Sequence, residues 1–165
     1  MDIQPVENYG AGLIPRQSMR SKVDRLEQVL QTVPQVDCPV RNLFAPGMYA
    51  REITIPAGTV VSGAVHKTDN FVVLSKGRLR YVTDGEPVEI SAPHIMTCKA
   101  GSKNAVVALE DSVWINFFPT TETDIGKLVE TLTESTADEL LGGSKNKQLA
   151  QAGRMEQLEA KCHSE

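Results

Sequence analysis

The amino-acid sequence predicts a mainly β, antiparallel protein, a sandwich or small barrel of short strands with helical segments on either side. Between residues 48 and 119, short runs rich in Val, Ile, Thr and aromatic residues are separated by Gly, Pro and Asp-Gly. Before and after that region, apolar residues recur at the spacing of amphipathic helices. The chain has 165 residues, of which 41% are hydrophobic, and this suits a single domain with its own core.

The N-terminal region is expected to be an extended arm followed by a helix. Residues 1–17 contain Pro and Gly without periodicity. In the next segment, SMRSKVDRLEQVLQTVP, an apolar stripe predicts a helix with an N-cap at Ser18 and a stop at Pro34. The stripe consists of Met19, Val23, Leu26, Leu30 and Val33. Burying one Leu or Val side chain is worth about 1.5–3 kcal/mol, so we expect the stripe to pack on the outside of the barrel or on another subunit.

Eight runs in the central region are expected to be strands. They are YAREITI, TVVSGAV, FVVLS, RLRYVT, PVEIS, HIMTC, AVVAL and SVWINFF. In the first run Arg51 falls on the apolar face, so the alternation of apolar and polar residues is imperfect there. That face also carries Tyr49, Ile53 and Ile55. The stretch TDGE, residues 83–86, is expected to be a hairpin turn because Asp-Gly favours the positive φ values of a tight turn.

The C-terminal region is expected to be a helical tail. In ETDIGKLVETL the apolar residues of the expected helix share one face: Ile125, Leu128, Val129 and Leu132. Gly142 and Gly143 interrupt the pattern, and a last helix is expected around Leu149, Met155 and Leu158. The sequence therefore predicts three regions: an arm and helix over residues 1–42, a β-barrel over 43–120 and a helical tail over 121–165.

Composition argues against several partners and environments. The formal net charge is −4, so no general attraction to nucleic acid is expected. No apolar run approaches the roughly 20 residues that span a bilayer, so no membrane association is expected, and the first residues do not resemble a secretory signal. The three cysteines, Cys38, Cys98 and Cys162, are widely spaced, which is typical of reduced thiols in a cytosolic compartment.

One stretch of the β region has the spacing of a metal-binding motif. Its positions are Gly58, Ala64, His66, Asn70 and Gly77. This spacing resembles the first motif of the cupin superfamily, G-x5-H-x-H-x3-E-x6-G. Both glycines and the second histidine are in register, whereas Ala64 replaces the first histidine and Asn70 replaces the glutamate.

A second stretch, KAGSKNAVVA, resembles the second cupin motif, P-x-G-x2-H-x3-N. Gly101 is kept, Lys99 replaces the proline, and Asn104 stands where the last metal-binding histidine would be. The cupin resemblance implies a single antiparallel jelly-roll barrel. More narrowly, the segments HKTDNFVVLSKGRLRYV and ALED, the latter shortly before Trp114, resemble the corresponding segments of small single-cupin proteins encoded by tailed bacteriophages. This resemblance implies a viral origin but no particular role.

The residues at the four ligand positions of the cupin motifs decide against a metal site. A mononuclear site for iron, manganese or zinc usually has three or four imidazole or carboxylate ligands. Here His66 is the one strong donor, while Asn70 and Asn104 are weak oxygen donors and Ala64 has no donor. We therefore expect no metal, no cofactor and no metal-dependent catalysis. His94 is out of register with the motif and is expected to be a surface or hairpin histidine.

Five residues are candidates for weak ligand binding if they face a common cavity: His66, Asn70, Arg78, Arg80 and Asn104. Arg78 and Arg80 share one face of their strand and could form an anion pocket with Lys99 or Lys103. A solvated outer face would explain the two arginines equally well. Cys98 is expected to be a buried small residue and not a nucleophile.

Three functions are compatible with these observations. The favoured one is a non-catalytic, homo-oligomeric assembly module of a phage particle, as a capsid decoration or tail-associated protein. It would contact other phage structural proteins and reside in the virion, or in the host cytoplasm before assembly. The expected interface residues are Met19, Val23, Leu26, Leu30, Val33, Trp114 and Phe118, the last two lying in the core or at a subunit interface. The alternative is a small-molecule, sugar- or nucleotide-binding cupin, and a metal-dependent enzyme is disfavoured.

Overall fold

The structure of the protein is a computed structural model that describes residues 16–82 and 86–140. The expected N-terminal arm, the centre of the TDGE turn and the expected helix around residues 149–158 lie outside these residues. The helices are α1 (Arg16–Leu30), α2 (Ile125–Leu132) and α3 (Ala137–Leu140). The strands are β1 (Val40–Ala45), β2 (Met48–Ile55), β3 (Val60–Ser62), β4 (Asn70–Lys76), β5 (Arg78–Val82), β6 (Val88–Ser91), β7 (His94–Cys98), β8 (Ala105–Ala108) and β9 (Ser112–Pro119). No helix in this part of the chain is long and apolar enough to cross a membrane.

The strands of the described residues form two antiparallel sheets. One has the order β1-β2-β9-β4-β7 and the other the order β3-β8-β5-β6. From β2 onward, the two orders 2-9-4-7 and 3-8-5-6 are those of an eight-stranded jelly roll, a double-sheet fold of two Greek keys. The predicted antiparallel jelly-roll fold is confirmed.

Strand β1 is an addition that the sequence pattern did not predict. All six of its residues are exposed, so VRNLFA shows no alternation of apolar and polar positions. The strand pairs with β2 along its whole length. Side-chain hydrogen bonds also join these strands: Arg41 Nε donates to Glu52 Oε1 at 2.6 Å, and the Tyr49 hydroxyl donates to Asn42 Oδ1 at 2.7 Å.

Two apolar clusters fill the interior. The larger one lies between the sheets and contains Ile55, Val72, Leu74, Leu79, Tyr81, Ile90, Cys98, Val106, Ala108 and Trp114. The smaller one joins the barrel to α2 and contains Tyr49, Phe118, Leu128 and Leu132. Trp114 and Phe118 are 7% and 4% exposed, because alternate residues of β9 point inward. Of the two expected positions, core or subunit interface, both residues occupy the core of their own chain and are not available as interface residues.

Helix α1 begins and ends earlier than the sequence predicted. It starts at Arg16 and ends at Leu30, so Val33 lies in the following turn. Gln35 accounts for the early end, because its Nε2 donates to the carbonyl oxygen of Leu30 at 2.6 Å and to that of Val33 at 2.9 Å. The Gln35 amide thus gives hydrogen-bond donors to two carbonyl groups that would otherwise accept from the backbone N–H groups of a further helical turn.

The apolar stripe of α1 packs largely on its own chain. Val23 is 3% exposed, Leu26 and Leu30 are half-buried, and Val33 is 41% exposed. The side chain of Met19 lies outside the described part. The helix lies beside β3, so Val23 packs within its own chain, which was one of the two expected positions. It is not available as an interface residue.

Ion pairs hold α1 in place. Lys103 Nζ lies 2.7 Å from Asp24 Oδ1 and 2.5 Å from Glu27 Oε2, which connects the middle of α1 to the loop before β8. Arg20 pairs with Glu134, in the turn after α2. The helix is therefore attached at two points across one end of the barrel.

Candidate functional site: a polar band in the barrel

A cavity of about 770 Å³ extends from the barrel interior to α1 and α2. Inward-facing residues of β2 and β9 form part of its wall, and residues 59–66 and the two helices form most of the rest. Its aromatic lining residues are Tyr49, Trp114 and Phe118, and its polar lining residues include Arg51, His66, Asn104 and Asn116. The cavity therefore combines apolar walls with a small number of polar groups, as small-molecule sites usually do.

The polar residues follow one line across the inner face of the five-stranded sheet. The β2–β9 register sets Arg51 opposite Asn116, and the β4–β7 register sets Asn70 opposite Cys98. Asn70 and Asn116 are buried. We call this line, together with His66, the polar band; it runs between the two apolar clusters.

A chain of hydrogen bonds runs through the polar band. Trp114 Nε1 donates to Asn116 Oδ1 at 2.9 Å, and Asn116 Nδ2 donates to Asn70 Oδ1 at 2.9 Å. Asn70 Nδ2 then lies 2.7 Å from His66 Nδ1. The indole N–H can only donate, so Asn116 must present its oxygen to Trp114, and this fixes the direction of every later bond. His66 Nδ1 is therefore an acceptor, and the proton of the neutral ring is on Nε2.

Burial keeps His66 uncharged. Desolvation and, to a smaller extent, the nearby positive charge of Arg51 together lower the pKa of His66 from 6.5 to about 4. The ring also makes an edge contact with Phe118, with ring centroids 5.3 Å apart. At neutral pH His66 thus offers one N–H donor, on Nε2, and has no charge.

Arg51 is the cation of the polar band. Burial lowers the pKa of its guanidinium, and Arg51 forms no hydrogen bond or ion pair with any residue in 16–82 or 86–140. Within the same residues, no fully buried side-chain nitrogen or oxygen lacks a partner. Arg51 lines the cavity, so its guanidinium borders the open volume and has no partner among the described residues.

The structure brings together three of the five predicted ligand-binding residues. His66 and Asn104 line the cavity, and Asn70 lies behind His66 and orients its ring. Asn104 Nδ2 also lies 3.7 Å from the sulfur of Cys98, which is buried as expected.

The expectation that Arg78 and Arg80 face this cavity is wrong. Both arginines are exposed and alternate with buried residues of β5, so they point out of the barrel. Each pairs with Glu89, and Arg80 Nη2 lies 2.8 Å from Glu89 Oε1. Lys99 is also outside the cavity and pairs with Asp69 at 2.7 Å. The solvated outer face is the correct interpretation of the two arginines.

The residues at the cupin ligand positions do not fit a metal ion. Ala64 has no donor atom, the amide of Asn70 is bonded at both ends, and Nδ1 of His66 is already an acceptor. In the described ranges, no group of three His, Cys, Asp or Glu side chains is arranged to hold a metal. The lack of a bound metal in solution stays a prediction.

Sequence reasoning missed three members of the site. The sequence pattern predicts packing for Trp114, gives no role to Asn116 and marks Arg51 only as an irregularity in strand alternation. A signal is present for two of the three: Arg51 and Asn116 occupy positions whose neighbours two residues away are apolar and inward-facing. A polar residue on such a face is either paired inside the barrel or open to a ligand.

Comparison with known proteins finds similarity among solved structures only. No protein-family model matches the sequence. No curated protein matches it either. Among solved structures, the chain is similar to a cupin superfamily protein from Desulfitobacterium hafniense, with 9% identity over 52% of this chain and 79% of that chain and a TM-score of 0.45. An RmlC-like cupin from Shewanella frigidimarina has 17% identity over 55% of this chain and 85% of that chain, with a TM-score of 0.45.

A third similar structure is an acetylacetone dioxygenase from Acinetobacter johnsonii. It has 17% identity over 53% of this chain and 62% of that chain, with a TM-score of 0.44. Two of the three structures are thus named as cupins and the third as an enzyme. At such low identities and TM-scores these similarities carry no conclusion about activity, and the jelly-roll assignment rests on the strand order of the chain itself.

Proposed function

We propose that the protein is a non-catalytic binding module that holds a small molecule in its barrel cavity. The observation that carries this proposal is the polar band, which faces a cavity of about 770 Å³. Side chains usually fill the interior of a small barrel. Here the interior keeps an open volume, and both Arg51 and the Nε2–H of His66 lack a partner among the described residues while their side chains line this volume.

The charge state of His66 favours binding over acid–base catalysis. A general base works best when its pKa is near the operating pH, whereas the pKa of His66 is about 4. The Asn70 amide also occupies Nδ1, the nitrogen that would accept a proton. His66 is therefore suited to donate a hydrogen bond from Nε2 and not to move a proton.

Trp114 provides a direct test, because it is the single tryptophan of the chain and it lines the cavity. A small-molecule library is screened by the change in tryptophan emission. Ala64→Phe places a bulky side chain on the cavity wall, and Ala57→Phe is the matched control at an exposed site that does not line the cavity. Compounds should change the emission of the wild-type protein and of Ala57→Phe but not of Ala64→Phe. An equal response in all three proteins, or no response in any, contradicts the proposal.

A second candidate function, homo-oligomeric assembly, is favoured by the outer face of the five-stranded sheet. Phe71 and Ile95 are 62% and 68% exposed. Phe71 lies opposite Phe117, and Val73 lies opposite both Ile95 and Ile115, so apolar residues are contiguous over β7, β4 and β9. Exposed apolar patches of this kind are typical of protein interfaces, and a two-fold arrangement would place the same patch on both subunits.

The assembly candidate is tested by the solution mass of the protein. The double change Phe71→Glu and Ile95→Glu places two charges in the patch, and Val88→Glu places one on an exposed site of the other sheet. Light scattering should show a smaller particle for the double variant and no change for the control. The same mass for all proteins contradicts assembly through this face.

A role in a phage particle extends the assembly candidate. Its support is the resemblance of the sequence to small cupins encoded by tailed bacteriophages. Mass spectrometry of purified virions should find the protein in fixed stoichiometry with the other structural proteins. Detection in infected cells but not in virions contradicts the particle role and leaves the binding proposal intact.

A further inference from the structure

We propose that the ligand of the barrel carries a single carboxylate group, which Arg51 binds through its guanidinium while Nε2–H of His66 donates to the same group. This inference rests on the proposed function and names the chemical class of the ligand. The proposed carboxylate follows from three features of the cavity: a cation without a partner among the described residues, neutral polar neighbours and apolar walls.

The unpaired cation distinguishes Arg51 from the other positive residues that line the cavity. Arg20 pairs with Glu134, and Lys103 pairs with two acids of α1. Arg51 is the one without such an acid among the described residues. A charge that is largely removed from water is costly unless it is paired. The fork of N–H donors of an arginine fits the two oxygens of a carboxylate.

The neutral neighbours decide between a carboxylate and a doubly charged group such as a phosphate monoester. Asn104 and Asn116 have no charge, and His66 is held neutral by burial and by the bond from Asn70. Within the polar band Arg51 is therefore the single positive charge, which balances one carboxylate. The acids that line the cavity lie on the helices and in the turn after α2: Glu27, Glu134 and Glu139. A dianion would leave one negative charge without a counter-charge in a cavity with apolar walls.

The apolar walls indicate what the rest of the ligand is like. Next to Arg51 on the inner face of β2 are Tyr49 and Ile53. On β9, Phe118 lies opposite Tyr49 and Trp114 lies opposite Ile53. Phe118 and Tyr49 have ring centroids 6.0 Å apart. An aromatic or branched aliphatic body would bury its surface here while its carboxylate reaches Arg51.

The test uses pairs of compounds that differ in charge and not in shape. Aromatic and branched aliphatic carboxylic acids, 2-naphthoate among them, are compared with their primary amides by tryptophan emission and calorimetry. The wild-type protein should bind acids more tightly than amides. Arg51→Met should weaken acid binding about 10- to 100-fold, which is the loss of a charge-assisted hydrogen-bonded pair, and should leave amide binding unchanged. Arg78→Met, an exposed arginine outside the cavity, should behave as the wild-type protein does.

A second measurement separates a ligand-binding arginine from a structural one. Without ligand, Arg51 is a half-buried cation with no acid beside it among the described residues, so Arg51→Met should raise the Tm of the free protein by about 2–8 °C. A lower Tm would show that Arg51 stabilises the fold and would overturn the inference. Amides that bind as tightly as acids would also overturn it and leave the proposed function standing. If neither acids nor amides bind, both proposals fail.

Discussion

Asn70 and His66 are joined by a hydrogen bond of 2.7 Å between Nδ2 of the amide and Nδ1 of the ring. Asn116 holds the oxygen of the Asn70 amide at 2.9 Å, so the amide cannot turn round without breaking both contacts. Protonation of Nδ1 would place two N–H donors against each other. The bond therefore links the charge state of His66 to the identity of residue 70, and the first two predictions test this link.

The first prediction is that folding stability falls as the pH is lowered from about 6.5 to about 4. The pKa of His66 is about 4 in the folded protein and 6.5 in the unfolded chain, so in this range the unfolded chain binds more protons, and protonation favours unfolding. The full stabilisation is present above pH 6.5 and amounts to about 3 kcal/mol for this residue. Urea titrations at several pH values measure the free energy of unfolding and therefore this loss of stability.

His66→Gln is the control for this pH effect, because Gln does not titrate between pH 4 and 6.5. Its stability should vary less with pH over that range than that of the wild-type protein. An NMR titration of the His66 ring gives the pKa directly. A measured pKa near 6.5 would contradict the prediction.

The second prediction is that Asn70→Asp raises the pKa of His66. A carboxylate can accept from Asn116 on one oxygen, but its other oxygen needs a proton on His66 Nδ1. The negative charge also favours the imidazolium, so the pKa of His66 should rise by about 1–3. Asn42→Asp is the matched control, because Asn42 accepts a hydrogen bond from the Tyr49 hydroxyl and lies away from the ring. An unchanged pKa of His66 in Asn70→Asp would contradict the direction assigned to the hydrogen-bond chain.

Sequence patterning predicts strands well where one face is buried. The runs that became β2, β4, β5 and β9 are rich in apolar residues because their inner side chains fill the core, and their limits differ from the expected ones by about one residue. Strand β1 has both faces exposed, so no alternation records it. Its position depends on its pairing with β2, which is a tertiary feature.

The candidate site could be predicted in part. The glycine and histidine spacing placed His66, Asn70 and Asn104 on the inside of the barrel. The motif spacing does not predict which way the arginine side chains point. Arg78 and Arg80 alternate with apolar residues of β5, which fits an outer face. Arg51 instead lies on the apolar face of β2. Arg51 is informative because it departs from the pattern: an arginine on an apolar face is expected to pair with an acid or to bind a ligand.

The third prediction concerns the attachment of α1 over the cavity. Lys103 is largely buried and pairs with both Asp24 and Glu27. The change Lys103→Met would leave these two negative charges close together without a cation, which should loosen α1. Amide exchange in α1 should become faster, and acrylamide should quench Trp114 more strongly because the cavity is less covered. Lys99→Met is the control, because the pair of Lys99 with Asp69 is exposed and contributes about 0–1 kcal/mol. Equal exchange rates in the two variants would contradict the role of Lys103.

The fourth prediction compares the two glycines that belong to the predicted motif. Gly58 and Gly77 have φ values of +79° and +86°, a region that costs an alanine about 1–2 kcal/mol. The surroundings differ: a Cβ at Gly58 would meet nothing within 4 Å, whereas at Gly77 it would lie 2.5 Å from the carbonyl oxygen of Asp111 and 2.8 Å from Cα of Ser112. Backbone atoms cannot move aside as a flexible side chain can.

The substitution Gly58→Ala should therefore cost about 1–2 kcal/mol, which is the backbone strain alone. In Gly77→Ala the turn before β9 must also move, which should cost about 1–3 kcal/mol more. The total loss of unfolding free energy should therefore be about 2–5 kcal/mol. Urea denaturation of both variants measures the difference, because their strain terms are nearly equal and cancel in the comparison. If the two variants lose the same stability, then Gly77 is required for its φ angle alone and the close approach to β9 does not constrain the residue.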